Sequence, residues 1–423
     1  MKQKLFFMLL TLTTINAKIN IQVGAKTAKK TKLALVSLGT SKALEEACAI
    51  VKNDLEFTHQ FDVGIIKKDA IQSKHDIKEL HKQGYTVALF VTENPEAKVS
   101  ELRVYNTRKA KMLNGYKISY VAASPRSWGH NLADACLPVL TGENGFFSSK
   151  LAYYKEEAGN KQICIADYNG KASRPLVHIK SAAVAPRWNN DPENPLVLYS
   201  EYTPVNVRLM ATNLQGKKQV AVDFDGLNML PAFSEDGNEV VMCLSQKSST
   251  QIYSYGQTKK SKKPVYTRLT HNDGNNISPT IMENGDVIFC SDYQQGRPHI
   301  YRLKRKRGSL KRLSFGGSCF NPNYSIPSHK VAYSQMHGGT AQVMIYDFKT
   351  KQEKQVTFDH GHKLECSWSP CGNYLAFSYE SGKQKRIAVQ SLLTGNRRYL
   401  TSTSQRCSYP SWSINYSCFS HKA

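Results

Sequence analysis

Short apolar runs alternate with polar turns along most of this chain, and the clearest unit is Cys366–Ser378, Cys-Ser-Trp-Ser-Pro-Cys-Gly-Asn-Tyr-Leu-Ala-Phe-Ser. An apolar position and an aromatic lead into a Ser-Pro-Cys-Gly turn, after which Leu375-Ala376-Phe377 returns as a buried strand. Pro fixes φ and lacks a donor, whereas Gly permits positive φ, so the pair punctuates the run. The unit recurs around Trp188, Phe233, Ile281, Tyr324, Trp368 and Trp412, anchors spaced by 45, 48, 43, 44 and 44 residues. A second strand follows the turn (Val240–Met242, Val287–Phe289, Val331–Tyr333, Leu375–Phe377). A third comes next (Gln251–Tyr253, His299–Tyr301, Gln342–Ile345, Arg386–Val389), and a fourth ends in Arg268-Leu-Thr270, Arg312-Leu-Ser314, Gln355-Val-Thr357 or Tyr399-Leu-Thr401. Four strands per repeat at a period in the forties predict propeller blades, six of them. A generic β-sandwich does not account for a period held over six units.

Ahead of the repeats the pattern changes to alternating strands and helices, which predicts a small α/β domain. Lys18–Gln22, Lys32–Leu38, Phe61–Ile66, Tyr85–Thr92, Ser100–Asn106 and Lys117–Ala122 read as strands. Ser41 caps a helix over Ala43–Lys52, with Leu44, Ala47, Cys48 and Val51 on one face. His75–Gln83 is a second helix stopped by Gly84, and Asn131–Leu140 a third. Gly142-Glu-Asn-Gly145 marks the boundary. Beyond it Phe147–Tyr154 and Gln162–Tyr168 are two more strands. The economical closure makes the strand at Trp412 the inner strand of the last blade, with Lys150–Tyr154, Gln162–Asp167 and Arg174–Val177 as its outer three. Joining the two ends in one blade removes two exposed edges. Tyr416–Ser420 competes with Lys150–Tyr154 for the second place. The expected fold class is therefore α+β multidomain, a small N-terminal α/β domain followed by a six-bladed β-propeller closed by its N- and C-terminal strands. The expected boundaries are 1–17 for a signal peptide, 18–141 for the first domain and 146–423 for the propeller.

The signal peptide rests on Lys2 and Lys4, the apolar run Leu5–Leu12 and the small-residue site Ile15-Asn-Ala17. That run is too short to span a bilayer, no later stretch is long enough, and no Cys follows the cleavage site as in a lipoprotein. Export into the periplasm is the expectation. Ten cysteines in an exported chain invite disulfides, but none lies in a metal-type Cys-x-x-Cys pair. Cys366 and Cys371 either pair or pack, and Cys243 and Cys290 fall on equivalent second strands, where buried thiols are common. Most are expected to be packing residues.

A formal net charge of +24 collects in Lys29-Lys30-Thr-Lys32, Lys259-Lys260-Ser-Lys262-Lys263, Lys304–Arg307 and Lys383–Arg386. Each cluster is a solvated turn that discourages edge pairing, yet the total attracts polyanions. In an exported protein this points to anionic envelope components or an acidic protein rather than nucleic acid.

Catalytic signals are weak. Gly39-Thr-Ser41 at a helix start offers free N–H groups to an anion but lacks the spacing and Lys of a phosphate loop. His59, His75 and His81 show no ligand spacing and read as surface residues. Gly316-Gly-Ser-Cys-Phe320 fails the nucleophile-elbow pattern. Asp236, Asn284, Asp286 and Asp292 are the carboxylates and amide a channel metal would need, in an alternative reading as a propeller hydrolase or lactonase; as turn residues they have a simpler use. No cofactor, metal ligand or catalytic residue is expected.

Several stretches together resemble the TolB family, the periplasmic propeller of the Tol–Pal envelope system. They are Leu140-Thr-Gly142…Gly145-Phe…Leu151-Ala-Tyr153, Ile165-Ala-Asp-Tyr-Asn-Gly170, Leu230-Pro-Ala-Phe-Ser-Glu-Asp-Gly237, Phe289-Cys-Ser-Asp292…Gly296-Arg-Pro-His-Ile-Tyr301 and Pro410-Ser-Trp-Ser413. Asp54-Leu55…Thr58…Phe61 echoes a motif of that family's first domain. The resemblance implies a non-enzymatic adaptor that supports outer-membrane integrity and cell division. It binds the peptidoglycan-associated lipoprotein Pal through loops over the propeller's central opening. The matching positions are Leu227, Asn228 and Leu230 before Pro231, Asn276 and Ile277 before Pro279, and Asn321, His362 and Glu365 in later blades. It also implies contact with inner-membrane Tol proteins through the N-terminal segment, here Ile19, Ile21 and Val23.

Overall fold

The structure, a computed structural model, describes residues 30–68, 73–120, 123–246, 249–258, 261–294, 296–416 and 419–420. The expected signal segment, the strand Lys18–Gln22 and the positions Ile19, Ile21 and Val23 lie outside the described residues.

The first domain runs β1 (Thr31–Leu38), α1 (Lys42–Phe57), β2 (Phe61–Lys68), α2 (Lys74–Lys82), β3 (Val87–Asn94), β4 (Val99–Asn106), β5 (Lys111–Ser119) and α3 (Pro125–Thr141). Its sheet has the order β2-β1-β3-β4-β5. β1 pairs in parallel with β2 and β3, and its continuous apolar centre, Leu33–Val36, is buried as a strand covered on both faces must be. Ser41 caps α1 by accepting from the Leu44 N–H at 3.1 Å. The helix outruns the expected Ala43–Lys52 because Asp54, a buried carboxylate, interrupts the apolar period before Leu55 and Phe57 resume it. α3 begins six residues before the expected Asn131, with Pro125 in its first turn, where a missing N–H costs nothing. β5 starts earlier than Lys117 as well, and its first residues are exposed, so no buried alternation marked its start.

Past Gly142 the chain enters β6 (Lys150–Glu157), β7 (Asn160–Asp167) and β8 (Arg174–Ile179). Four antiparallel four-stranded sheets follow. The first is β9 (Ala183–Trp188), β10 (Leu196–Tyr202), β11 (Val207–Asn213) and β12 (Lys218–Val222); the second is β13 (Asn228–Phe233), β14 (Glu239–Gln246), β15 (Ser249–Thr258) and β16 (Ser261–Arg268). The third is β17 (Asn276–Ile281), β18 (Val287–Ser291), β19 (His299–Lys304) and β20 (Ser309–Arg312); the fourth is β21 (Cys319–Ser325), β22 (Lys330–His337), β23 (Thr340–Asp347) and β24 (Gln352–Gln355). An eight-stranded sheet completes the propeller. It joins β25 (His362–Trp368), β26 (Tyr374–Ser381), β27 (Gln384–Ser391) and β28 (Arg397–Tyr399) to β29 (Arg406–Trp412) and β6-β7-β8. A single parallel pair, Lys385 with Arg406, links its halves. β29 pairs with β6, Trp412 opposite Leu151, which is the closure expected from the sequence. Tyr416–Ser420 does not compete for that place: β30 (Phe419–Ser420) pairs instead with β5 of the first domain.

Every anchor lies at the end of an inner strand, and each inner strand carries the same irregularity. Ala185, Leu230, Ser278, Asn321, Glu365 and Tyr409, each three residues before its anchor, have φ between 51° and 60°. The ladder slips one residue at every one of them, the mark of a β-bulge. Pro follows directly in all but Glu365-Cys366, at a position where a ladder donor is not needed.

The residue just before an anchor then reaches the anchor of the next inner strand. Thr280 Oγ1 accepts from the Tyr324 N–H (3.3 Å), Asn323 Oδ1 from Trp368 (2.9 Å), Ser367 Oγ from Trp412 (2.8 Å) and Ser411 Oγ from Trp188 (3.4 Å). Arg187 and Ala232 hold the same place before Phe233 and Ile281 and have no acceptor to offer. The sheet β13–β16 is therefore the one without this staple on either side.

Candidate functional site

The inner strands enclose a cavity of about 430 Å³ whose wall includes Arg187, Leu230, Thr280, Asn323, Ser367 and Ser411. Its polar lining is chiefly hydroxyl and amide. Glu365, on the bulge of β25, is buried, and its carboxylate accepts from the Tyr409 N–H at 2.7 Å and from the Ser378 hydroxyl. Burial raises its pKa against the pull of Lys385. Arg187 donates to the Pro186 carbonyl at 2.9 Å; burial lowers its pKa while Glu365 and Tyr409 oppose the change. Asp236, Asn284, Asp286 and Asp292 are absent from this wall. Asp236 bonds Ser234 and Asn238, Asp286 pairs with Arg302 at 2.6 Å, and Asp292 accepts from the Asn275 N–H at 2.6 Å. Each holds a turn or a strand end.

The eight positions inferred for lipoprotein binding cluster where the inner strands begin, but as strand residues more than loop residues. All except Leu227 lie within β13, β17, β21 or β25, because the bulge lengthens each inner strand toward this rim. Asn228 and Asn276 are fully buried. Asn228 Nδ2 donates to the carbonyls of Val207 (2.9 Å) and Phe224 (2.6 Å); Asn276 Nδ2 donates to Gln251 Oε1 (3.0 Å), Asn272 Oδ1 (2.9 Å) and the Gly274 carbonyl (3.0 Å). Both pin the connection ahead of their strand. Leu230 packs with Ala185, Val241 and Ile281 between neighbouring sheets, and His362 Nδ1 accepts from the Ala341 N–H at 3.2 Å. Leu227, Ile277, Asn321 and His362 remain half-buried, Ile277 packing against the clusters on both sides of its strand.

The same rim carries three aromatic side chains that sequence reasoning does not single out, in the connections that lead into inner strands. Phe224, Phe315 and Phe358 are 49%, 68% and 74% exposed. A signal for two of them exists: Leu313-Ser314 and Val356-Thr357 close a fourth strand, and each is followed at once by Phe.

The opposite rim holds the first domain. Phe57 of α1 stacks edge-on against Tyr168 (4.9 Å) and lies 5.8 Å from Tyr374, and Phe146 lies 4.7 Å from Tyr374. One continuous core runs from Leu33 through Trp128 to Trp412. Within it, the Tyr168 hydroxyl donates to Asp54 Oδ1 (2.8 Å), and Asp54 Oδ2 meets His130 Nδ1 at 2.6 Å. His130 Nε2 lies 3.5 Å from Asp167, which also pairs with Arg126 and, at 2.5 Å, Lys150. Burial would lower the His130 pKa, but Asp167 and Asp54 on its two sides raise it to about 9, so the imidazole is cationic at neutral pH. Burial opposes ionisation of Asp167, and His130 and Lys150 outweigh it and hold that pKa low. Burial raises the pKa of Asp54. Asp134 of α3 accepts from the Phe147 and Ser148 N–H groups at 2.7 and 3.0 Å, tying α3 to the start of the propeller. A Cβ at position 145 would meet Asp134 Oδ1 at 2.6 Å, so Gly is required there.

Two weaker expectations are settled locally. The helix start at Gly39-Thr-Ser41 is filled by Glu93, whose carboxylate takes the Ser41 hydroxyl at 2.5 Å and its N–H at 3.3 Å, so it is not an open anion site. Cys48, Cys136, Cys164, Cys243, Cys290, Cys319, Cys366, Cys371 and Cys407 are buried free thiols, Cys366 and Cys371 among them unpaired.

Comparison with known proteins agrees with this architecture. A family model described as the TolB beta propeller domain matches residues 138–416. The Tol-Pal system protein TolB of Francisella tularensis subsp. tularensis (strain FSC 198) is 24% identical over 391 residues, covering 87% of each chain. The crystal structure of TolB from Acinetobacter baumannii superposes with a TM-score of 0.75 at 23% identity, over 92% of this chain and 97% of that one. A chain of the Kuenenia stuttgartiensis hydrazine synthase shares the fold more distantly, with a TM-score of 0.51 at 11% identity, over 65% of this chain and 48% of that one; propellers serve unrelated chemistries. A small α/β domain packed on a propeller, with the family model spanning the propeller, places the chain in the TolB beta-propeller family.

Proposed function

We propose that the protein is a non-enzymatic adaptor of a Tol–Pal envelope system. It is exported to the periplasm after removal of residues 1–17, with an α/β domain over 18–141 and a propeller over 146–423. The observation that carries the reading is coverage: the similarity to a Tol-Pal system TolB runs over 87% of both chains, so it includes the first domain as well as the repeats. Six inner strands with one bulge and one anchor each support counting the eight-stranded sheet as two blades, in a ring of six.

In this reading the rim away from the first domain receives the peptidoglycan-associated lipoprotein. Leu227, Ile277, Asn321 and His362 form its inner ring and Phe224, Phe315 and Phe358 its outer one. Asn228, Leu230, Asn276 and Glu365 shape the rim from beneath. Exposed aromatic side chains around an opening suit a protein partner, since they bury large area at small entropic cost. Ile19, Ile21 and Val23 engage inner-membrane Tol proteins, and the adaptor thereby supports outer-membrane integrity and cell division.

The test is a pull-down from envelope extract with the mature protein at low and moderate salt. Recovery of a peptidoglycan-bound lipoprotein that survives moderate salt and is lost in Phe315→Asp and Phe358→Asp supports the adaptor. Recovery of salt-labile anionic material alone defeats the partner assignment.

A further inference from the structure

The wall of the central cavity is built from equivalent positions. The residue before each anchor, Arg187, Ala232, Thr280, Asn323, Ser367 or Ser411, comes from a different inner strand, and all six border the cavity of about 430 Å³. The inter-strand bonds order five of them around the wall. Thr280 receives the N–H beside Asn323, Asn323 the N–H beside Ser367, Ser367 the N–H beside Ser411, and Ser411 the N–H beside Arg187.

These bonds use only the acceptor side of each group. A hydroxyl carries a donor beside its lone pairs, and a primary amide carries two. Among the described residues the Thr280, Ser367 and Ser411 hydroxyls and the Asn323 amide give their protons to no protein acceptor. Arg187 spends one N–H on the carbonyl of Pro186, its neighbour in sequence, and forms no ion pair among the described residues. A guanidinium drawn out of bulk water with a single neutral partner is poorly compensated.

Carboxylates are few here. Glu235 is the one that borders the cavity, and it is exposed. Glu365, two residues before Ser367, is turned to the Tyr409 N–H and the Ser378 hydroxyl. Burial holds its pKa up, and the cation acting on it most strongly is Lys385. The wall is thus rich in donors, with one fixed cation and no carboxylate bound to it. Asn144 and Ile414 also border the cavity, which therefore lies toward the first domain and away from the rim assigned to the lipoprotein.

We infer that this cavity binds a phosphate group, held by the Arg187 guanidinium and the hydroxyls of Ser411 and Ser367 that follow it along the wall, with Asn323 and Thr280 completing the run of donors. A carboxylate is satisfied by the guanidinium fork alone, whereas the oxygens of a phosphate point several ways and use donors from several strands. Low local dielectric strengthens each of these charge-assisted bonds. The site stands or fails independently of the adaptor reading.

The intact protein is titrated with sodium phosphate at neutral pH, chloride holding the ionic strength constant. Tryptophan fluorescence reads the binding, since Trp188, Trp368 and Trp412 border the cavity. We expect a saturable change, with affinity about ten-fold weaker in Arg187→Gln and about three-fold weaker in Arg187→Lys, which keeps the charge and loses the fork. Thermal midpoints of both variants separate a lost site from a lost fold, and the lysine variant decides alone if the glutamine variant does not fold. Glycerol phosphate, titrated in parallel, distinguishes the source: equal or tighter binding assigns a phosphate ester, and exclusion assigns the free ion. The proposal is overturned if phosphate causes no saturable change beyond chloride, if the folded variants bind as tightly as the parent, or if acetate binds as tightly as phosphate.

Discussion

The Tyr168 hydroxyl donates to Asp54 at 2.8 Å across 114 residues of sequence, joining the first helix of the α/β domain to the end of the second propeller strand. Asp54 in turn holds His130, and His130 faces Asp167, the residue before Tyr168. The junction is thus a closed circuit of polar contacts inside the shared core.

That circuit makes stability depend on pH. His130 has a folded pKa raised to about 9 from an ordinary 6.5. Its contribution is therefore fully present below pH 6.5 and is lost as pH rises through 9. The linked loss is about 3 kcal/mol. Asp134, raised to about 6 by burial, works in the same direction, because its charged form is disfavoured in the fold. Asp167 works at the acid end, since its depressed pKa stabilises above the ordinary carboxylate range and that gain fades on further acidification. Urea midpoints measured from about pH 6 to 9.5 should fall, and His130→Gln should flatten the slope while lowering the plateau. A wild-type profile flat over this range would contradict the assignment.

The staples between inner strands predict a loss and a gain. Ser367→Ala removes the acceptor for the Trp412 N–H and should cost about 1 kcal/mol. Ala232→Ser places a hydroxyl where the four stapled junctions have one or an amide, and should add about 0.5 to 1 kcal/mol by supplying an acceptor to Ile281. Denaturant titration of both variants checks the pair, and an Ala232→Ser protein no more stable than the parent would show the amide is served otherwise.

Leu230 and Phe358 should separate fold from docking. Leu230 is buried between sheets and sits at φ +55°, so Leu230→Asp should lower stability by about 3 kcal/mol or more. Phe358 is 74% exposed, and Phe358→Asp should leave the thermal midpoint almost unmoved while reducing lipoprotein recovery. The reverse ranking in thermal melts would place the rim wrongly.

The thiols should be inert until the fold opens. Burial pushes Cys48, Cys243, Cys366 and Cys407 up to about 12 and Cys164 and Cys371 up to about 11, and thiolate is the reactive form. A thiol reagent added to the native protein at about pH 8 should label none of these six, and all of them in denaturant. Fast labelling of any of them without denaturant would show local opening.

Periodic features of this protein are legible in its sequence alone. The anchors at Trp188 through Trp412, the strands that follow them, the Ser41 cap and the pairing of the propeller's first and last strands follow from spacing, turn chemistry and the need to leave no edge open, all local or counting arguments. The rim positions show the boundary of that approach. Asn228 and Asn276 occupy the places a loop-based reading assigns to partner contact, yet each is buried and spends its amide on groups of its own chain. Phe315 and Phe358, ordinary apolar residues in the pattern, are the ones left in solvent. Asp54 interrupts a helix face in the sequence and in the fold links the two domains. The difference is physical. Periodicity reports which face of an element is apolar, a property each residue shares with its neighbours in sequence. Whether a polar group is buried and satisfied depends on donors and acceptors that folding brings from far along the chain.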